Sequence, residues 1–482
     1  MTIHDLQPAA VWKNFARICS VPHPSHHLEA ITKMFVDFGR ENNLETIVDE
    51  AGNIIMRKPA TPGMENRPGI VMQGHMDMVP QKNNDTVHDF EKDPIQPWID
   101  GEWVRAKGTT LGADNGMGVA AGMAIMTDPE LKHGPLELFI TANEETGMYG
   151  AFGMKEGELK GKILLNLDSE TFGELYVGCA GGVDANISWK YKGAPAEDGD
   201  VALKITLKGL KGGHSGMEIN EGRANANKLM FRFLKEAVAQ YEARLAAVEG
   251  GNMRNAIPRE GWVIITVPAD DVEDVKGLVA EYQDMFNDEY CKTENRVELS
   301  CERVDMPEML IPEEIQDDLI NSITACPNGV FRMIPAIPAT VETSMNLSIV
   351  KADAEKISVQ CLLRSSVDTK KDELASMVES TFTLAGAKVE FSGSYSGWNP
   401  NLDSKILATM KEAYKAQYGK EPAIKVIHAG LECGILGATQ TDLDMVSFGP
   451  TIMSPHSPDE RVNIKSVEQF YNLLHDAVAT IK

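Results

Sequence analysis

The feature that most narrows the fold is a recurring unit in which a short apolar run ends in a histidine or a carboxylate. Gly69-Ile-Val-Met-Gln-Gly-His-Met-Asp77, Leu136 to Glu145 and Ile163-Leu-Leu-Asn-Leu-Asp-Ser-Glu170 all have this form. Asn53 to Arg57, Gly69 to Met72, Leu136 to Thr141 and Lys162 to Leu167 read as strands, whereas Leu28 to Asn42 and Gly116 to Thr127 read as helices. Strands alternating with helices predict an α/β layer structure around a partly buried sheet. Open sheets of this kind gather ligands beyond the carboxyl ends of their strands. The residues able to do chemistry fall in those places.

The pattern changes at the glycine cluster Gly178-Cys-Ala-Gly-Gly182. Val201 to Leu207 and Trp262 to Val267 alternate polar with apolar residues, and the helix-like stretch Ala224 to Val248 lies between them. The glycine-rich Ser392-Gly-Ser-Tyr-Ser-Gly397 reads as a turn, followed by a helix over Lys405 to Tyr418 and a strand over Asp444 to Phe448. The expected organisation is an α+β domain at 183–395 inserted into a discontinuous catalytic domain, 1–182 and 396–482.

Composition excludes several classes. The chain has 46 Lys and Arg against 71 Asp and Glu, a net charge of −25 that repels nucleic acid and anionic membranes. Its longest largely apolar run, Val119 to Met126, is far short of the ~20 residues a spanning helix needs. Val11, Trp12, Phe15, Ile18 and Cys19 repeat at helical spacing, so the N-terminus reads as a first helix rather than a leader. Seven scattered cysteines, none in Cys-x-x-Cys, suit a reducing compartment. A cytoplasmic protein is expected.

His75 and Asp77, two positions apart on an extended backbone, share one side of it. One can bind a metal while the other holds the imidazole. The loop Thr109-Thr-Leu-Gly-Ala-Asp-Asn-Gly-Met-Gly118 lacks the Lys-Ser/Thr ending of a phosphate loop, leaving Asp114 as either a helix cap or a metal carboxylate. Glu144 and Glu145 would repel one another at the end of a buried strand, a cost that a nearby cation relieves. Asp168 ends a further apolar run, and His456 lies in the proline-stiffened Gly449-Pro-Thr-Ile-Met-Ser-Pro-His-Ser-Pro-Asp-Glu460. Two histidines and three carboxylates match the nitrogen and oxygen chemistry of zinc, cobalt or manganese better than calcium or copper thiolate sites. His-Glu-x-x-His and Gly-x-Ser-x-Gly are both absent.

Gln73-Gly-His-Met-Asp77, Gly112-Ala-Asp-Asn-Gly116, Asn143-Glu-Glu145, Asn166-Leu-Asp168 and Gly449 to Pro458 together resemble the cocatalytic zinc exopeptidases related to carboxypeptidase G and aminoacylase, and within them the dipeptidases. The likeness continues through Lys208-Gly-Leu-Lys-Gly-Gly-His-Ser-Gly216, Arg254-Asn-Ala-Ile-Pro-Arg259 and His428-Ala-Gly-Leu-Glu-Cys-Gly434. The resemblance implies a mixed sheet flanked by helices, with the inserted domain as a lid. It also implies two divalent ions per chain, zinc first, with cobalt or manganese as alternatives. Asp114 would bridge them, His75 and Asp168 would complete one site, and Glu145 and His456 the other. Asp77 would orient His75, Glu144 would be the general base toward metal-activated water, and the Asp114–Asn115 peptide would be cis.

In the inserted segment, the same resemblance marks His214, Asn255 and Arg364 as substrate contacts, Arg364 suiting a free C-terminal carboxylate, and beyond that segment Gly430 reads as a substrate-binding point where the substrate backbone can approach closely. The implied activity is hydrolysis of dipeptides, including Xaa-His dipeptides, by a homodimer. The rival readings are an N-acyl amino acid deacylase or carboxypeptidase of the same architecture, and a binding protein without turnover, which the presence of Glu144 disfavours.

Overall fold

The computed structural model describes residues 2–482. The chain forms two compact units: one of Met1–Gly178, Trp398–Val426 and Leu431–Lys482, the other of Cys179–Gly397 with the short return Ile427–Gly430. Among the described residues no helix is long and apolar enough to cross a membrane.

The first unit is built on a mixed eight-stranded sheet. Its order is Glu45–Val48, Ile54–Lys58, Leu136–Thr141, Ile70–His75, Ile163–Asn166, Asp444–Ser447, Glu174–Cys179 and Ala423–Ile427. Four central strands, Leu136–Thr141, Ile70–His75, Ile163–Asn166 and Asp444–Ser447, run parallel. Leu136–Thr141 and Ile70–His75 are buried along their whole length, as expected for parallel strands covered on both faces. Their carboxyl ends share one edge of the sheet. From that edge emerge His75, the Asn143-Glu144-Glu145 turn, Asp168 and the loop to His456.

One covering helix, Ala113–Thr127, comes unusually close because small residues line it. A Cβ on Gly118 would lie 2.3 Å from the Leu167 carbonyl oxygen, and one on Gly122 would lie 2.6 Å from the Leu138 side chain. Gly116 faces Phe15 of the helix Ala9–Cys19 at 3.3 Å by the same measure. The glycine and alanine content read in the sequence as an apolar helix therefore has a second consequence. It lets the helix lie directly on the strand ends and brings Asp114, near its start, to that edge of the sheet.

The second unit is a nine-stranded antiparallel sheet in the order Glu298–Arg303, Asp200–Lys208, Gly261–Pro268, Arg244–Gly250, Val341–Ala352, Lys356–Ser365, Gly181–Lys190 and Lys388–Tyr395, with Gly329–Met333 also paired to Val341–Ala352. Alternate residues such as Leu203, Ile205 and Leu207, or Val263, Ile265 and Val267, join one core with the helices Ala226–Tyr241, Val272–Glu289, Glu313–Ala325 and Asp368–Leu384. Two local expectations are corrected here. The helix expected to reach Val248 stops at Tyr241, where Glu242 turns left-handed (φ 49°), and Arg244–Gly250 is a strand paired to Gly261–Pro268. Its residues are good helix formers, but sheet pairing and burial override that weak preference. Ser392 to Tyr395, expected in a turn, belongs to the strand Lys388–Tyr395, whose register slips between Ser392 and Tyr395.

The close approach at Gly118 is testable. Gly118→Ala should lower the thermal midpoint, since overpacking of this kind costs about 1–3 kcal/mol. A midpoint equal to that of the parent chain would contradict the contact.

Candidate metal centre

Five of the residues singled out in the sequence converge at the carboxyl edge of the first unit's sheet. Asp114 stands between the two imidazoles, with Oδ1 3.2 Å from His75 Nε2 and Oδ2 3.1 Å from His456 Nε2. Asp168 Oδ1 lies 3.4 Å from His75 Nε2, and Glu145 Oε2 lies 3.0 Å from His456 Nε2. Two donor groups result, His75 with Asp114 and Asp168, and Asp114 with Glu145 and His456, each with its atoms within 4.8 Å of one another. Glu144 belongs to a third such group, with His75 and Glu145. Of the two readings left open for Asp114, its side chain makes no cap. The residue before the helix is Gly112, in a left-handed conformation, and Asp114 itself is not helical (φ −84°, ψ 108°). The Asp114–Asn115 peptide is cis.

Local backbone explains the convergence. His75 is the last residue of a buried strand, and its Nδ1 lies 3.0 Å from the Asp77 carbonyl oxygen. The Asp77 carboxylate is 3.6 Å from the same nitrogen, and its own hydrogen bonds go elsewhere. It accepts the Glu144 N–H at 2.9 Å, the Glu145 N–H at 3.3 Å and the Ser25 hydroxyl at 2.7 Å. Asp77 thus holds the turn that presents Glu144 and Glu145 as well as lying beside His75. Asn143 (φ 53°) and His456 (φ 58°) adopt the left-handed backbone that non-glycine residues seldom take.

A buried polar belt ties the four parallel strands together just behind the site. Gln73 donates to Glu432 Oε2 at 2.6 Å, Thr141 donates to the same oxygen at 2.6 Å, and Asn166 donates to Gln73 Oε1 at 2.6 Å. Ser447 donates to Asn166. Each of Gln73, Thr141, Asn166 and Ser447 comes from a different strand. Sequence reading missed this belt, together with Ser25, Glu432 and Glu460, the last of which lies beside Asp114. None has a spacing signal, because their partners are tens to hundreds of positions away.

The electrostatics call for a cation. Glu145 Oε1 and Asp168 Oδ1 are buried without a hydrogen bond, a costly state for carboxylate oxygens. Burial pushes Asp168 up to about 6 and raises Glu144 well above the usual carboxylate range, with Asp168, Glu432 and Glu145 adding repulsion at Glu144. Hydrogen bonds to Asp114 and Glu145 push His456 up to about 11. Burial disfavours the charged form of His75, but Asp168 and Asp114 outweigh it and raise His75 well above the ordinary imidazole value. The site therefore attracts positive charge, which divalent ions on a two-nitrogen, three-carboxylate donor set would supply. Those residues fit such ions.

The four residues expected to contact substrate, His214, Asn255, Arg364 and Gly430, all lie in the second unit. Arg364 is 5% exposed, donates to the Tyr395 hydroxyl at 3.1 Å and keeps its Nε buried without an acceptor. His214 Nδ1 accepts the N–H groups of Gly216 at 3.1 Å and Met217 at 3.0 Å, which places the proton of a neutral ring on Nε2. Asn255 is exposed, and its carbonyl accepts the Ser215 N–H at 2.8 Å. Gly430 follows two residues after His428, whose Nε2 lies 2.7 Å from Ser344 Oγ.

Burial, then the charges of Arg364 and His214, push His428 down to about 3. A buried imidazole held neutral adds stability that is complete above the unfolded pKa of about 6.5 and is lost as pH falls through the range below it. His428→Gln should therefore lose less thermal stability than the parent between about pH 6.5 and 4. Identical pH slopes for the two chains would contradict this.

Comparison with known proteins gives a family and full-length relatives. The model of Peptidase family M20/M25/M40 matches residues 71–480. The chain is 47% identical over 481 residues to the cytosol non-specific dipeptidase of Escherichia coli (strain K12), covering 99% of each. The solved aminoacylhistidine dipeptidase from Vibrio alginolyticus is 47% identical with a TM-score of 0.95, the match covering 100% of this chain and 98% of that one. The aminopeptidase PepT from Bacillus cereus, at 15% identity, a TM-score of 0.58 and 99% coverage of both chains, shares the fold alone. On the family match and full-length kinship of this order, the chain belongs to peptidase family M20/M25/M40.

Proposed function

We propose that this chain is a dinuclear metal-dependent dipeptidase, acting on Xaa-His dipeptides among others in the cytoplasm. The observation that carries the reading is the pair of donor groups sharing Asp114, with Glu144 beside them. The two relatives at 47% identity, a cytosol non-specific dipeptidase and an aminoacylhistidine dipeptidase, support dipeptides as substrates.

His75, Asp114 and Asp168 would hold one ion, and Asp114, Glu145 and His456 would hold the other. Zinc suits this set, and cobalt and manganese are compatible with it. When bound, such ions polarise a carbonyl and make a nearby water more acidic. Glu144 takes the proton of the attacking water and returns it to the departing amine nitrogen. Asp77 keeps Glu144 in position through the N–H bond described above and stands beside the His75 ring.

Arg364 receives the free C-terminal carboxylate, for which a buried guanidinium with an unused Nε–H is suited. His214 offers its Nε2–H as a donor, and Asn255 and Gly430 approach the peptide backbone. Among the described residues Arg364 has no ion-pair partner within 4.0 Å, so an incoming carboxylate displaces no internal pair.

Two outcomes test the reading on a panel of Xaa-His dipeptides, tripeptides and N-acetyl amino acids. Glu144→Ala should keep its metal content and lose about 10²–10⁴-fold in kcat, as removal of a general base does; undiminished kcat would contradict the role. Arg364→Ala should raise KM for free dipeptides far more than for dipeptide amides. Equal increases for both would sink the carboxylate assignment.

A further inference from the structure

We infer that Glu460 is a positioning residue for the metal centre, its carboxylate fastening the backbone that carries Asp114 to the loop that carries His456. The inference deepens the dinuclear reading above and rests on it.

Glu460 is only 2% exposed, yet no cationic side chain lies within ion-pair distance of it among the described residues. Its hydrogen bonds go instead to four consecutive backbone N–H groups. Oε2 accepts from Leu111 at 2.7 Å and Gly112 at 3.0 Å, while Oε1 accepts from Ala113 at 2.8 Å and Asp114 at 3.2 Å. This stretch has no cap of its own, because Gly112 has no side chain and Asp114 departs from helical geometry. One carboxylate therefore sets the path of the backbone through Asp114. It does so from the other end of the chain.

The same residue also bounds the His456 loop. That loop lies between the short strands Ile452–Met453 and Arg461–Asn463, and Glu460 closes it directly before the second. The two imidazoles are held very differently. His75 is buried at the end of a central strand, with Nδ1 fixed by the Asp77 carbonyl. The His456 side chain is 52% exposed, and among the described residues its ring is held only through Nε2, by Asp114 and Glu145. Fastening the loop four residues away is what keeps His456 over Asp114. Loss of the Glu460 clamp should consequently weaken the site of Asp114, Glu145 and His456 more than the site of His75 and Asp168.

The test is a titration of the full-length, metal-stripped chain with zinc by calorimetry, repeated with cobalt to read the absorption spectrum of each site. The parent should take two ions. Glu460→Gln keeps the shape but replaces one acceptor oxygen with an amide N–H₂ facing backbone donors. It should bind one ion near parental affinity and the second about 10–100-fold more weakly, the usual effect of losing a partner behind a ligand. Asp459→Ala, which removes the neighbouring exposed carboxylate paired to Arg105 at 2.9 Å, should keep both ions. If the Gln variant does not fold, Glu460→Asp, with both oxygens on a shorter stem, is titrated in its place with the same expectation.

A purely structural cap would lower the melting temperature of the metal-free variant while leaving both affinities parental, and that result overturns the inference. Equal weakening of both ions overturns it as well. A parent that takes fewer than two ions overturns the dinuclear reading and this inference with it. A parent and a Glu460 variant that both take two ions at equal affinity overturn the inference alone.

Discussion

The structure turns on how many carboxylates are brought to one edge of one sheet. Asp77, Asp114, Glu144, Glu145, Asp168, Glu432 and Glu460 are all buried or half-buried in the first unit. Like charges at short range in a poorly polarisable interior repel strongly, so each must be satisfied or neutralised. The carboxylates divide by how this is done. Asp77 and Glu460 are surrounded by backbone N–H groups, and Glu432 accepts from Gln73 and Thr141. Asp114, Glu145 and Asp168 have two imidazoles and too few donors. The first set is satisfied within the protein and the second is left able to hold cations, a division made by hydrogen-bond supply rather than by residue type.

That arrangement needs a scaffold that does not give. Parallel strands buried on both faces supply the edge, and the belt of Gln73, Thr141, Asn166 and Ser447 holds their ends in register. The glycine-lined helix Ala113–Thr127 lies close enough for Asp114 to reach between two histidines that come from opposite ends of the chain. In the second unit a different problem is solved by similar means. A buried arginine with an unused donor is placed on a long antiparallel sheet near two histidines that burial keeps neutral.

Much of the site was legible in the sequence because its signals are local. His75, Asp168 and the Glu144-Glu145 pair each follow an apolar run that ends abruptly in a polar turn, and a strand end is a short-range pattern. The α/β layering was legible for the same reason. What escaped was long-range or two-faced. Glu460 meets Asp114 across 346 positions, and nothing in Ser457-Pro-Asp-Glu460 distinguishes a buried clamp from a solvated turn. The end of the helix at Tyr241 was invisible because Arg244 to Gly250 has helix-forming residues, and only pairing with Gly261–Pro268 makes it a strand. The hydrogen bonds of Asp77 to the Glu144 and Glu145 backbone likewise depend on a turn whose shape cannot be read from residue types.

On the dinuclear reading, two ions share Asp114. Anomalous diffraction at the zinc absorption edge, from crystals of the fully loaded chain, tests it most directly. Two peaks should flank the Asp114 carboxylate, one against His75 and Asp168 and the other against Glu145 and His456. A single peak, or peaks that leave Asp114 untouched, would contradict it.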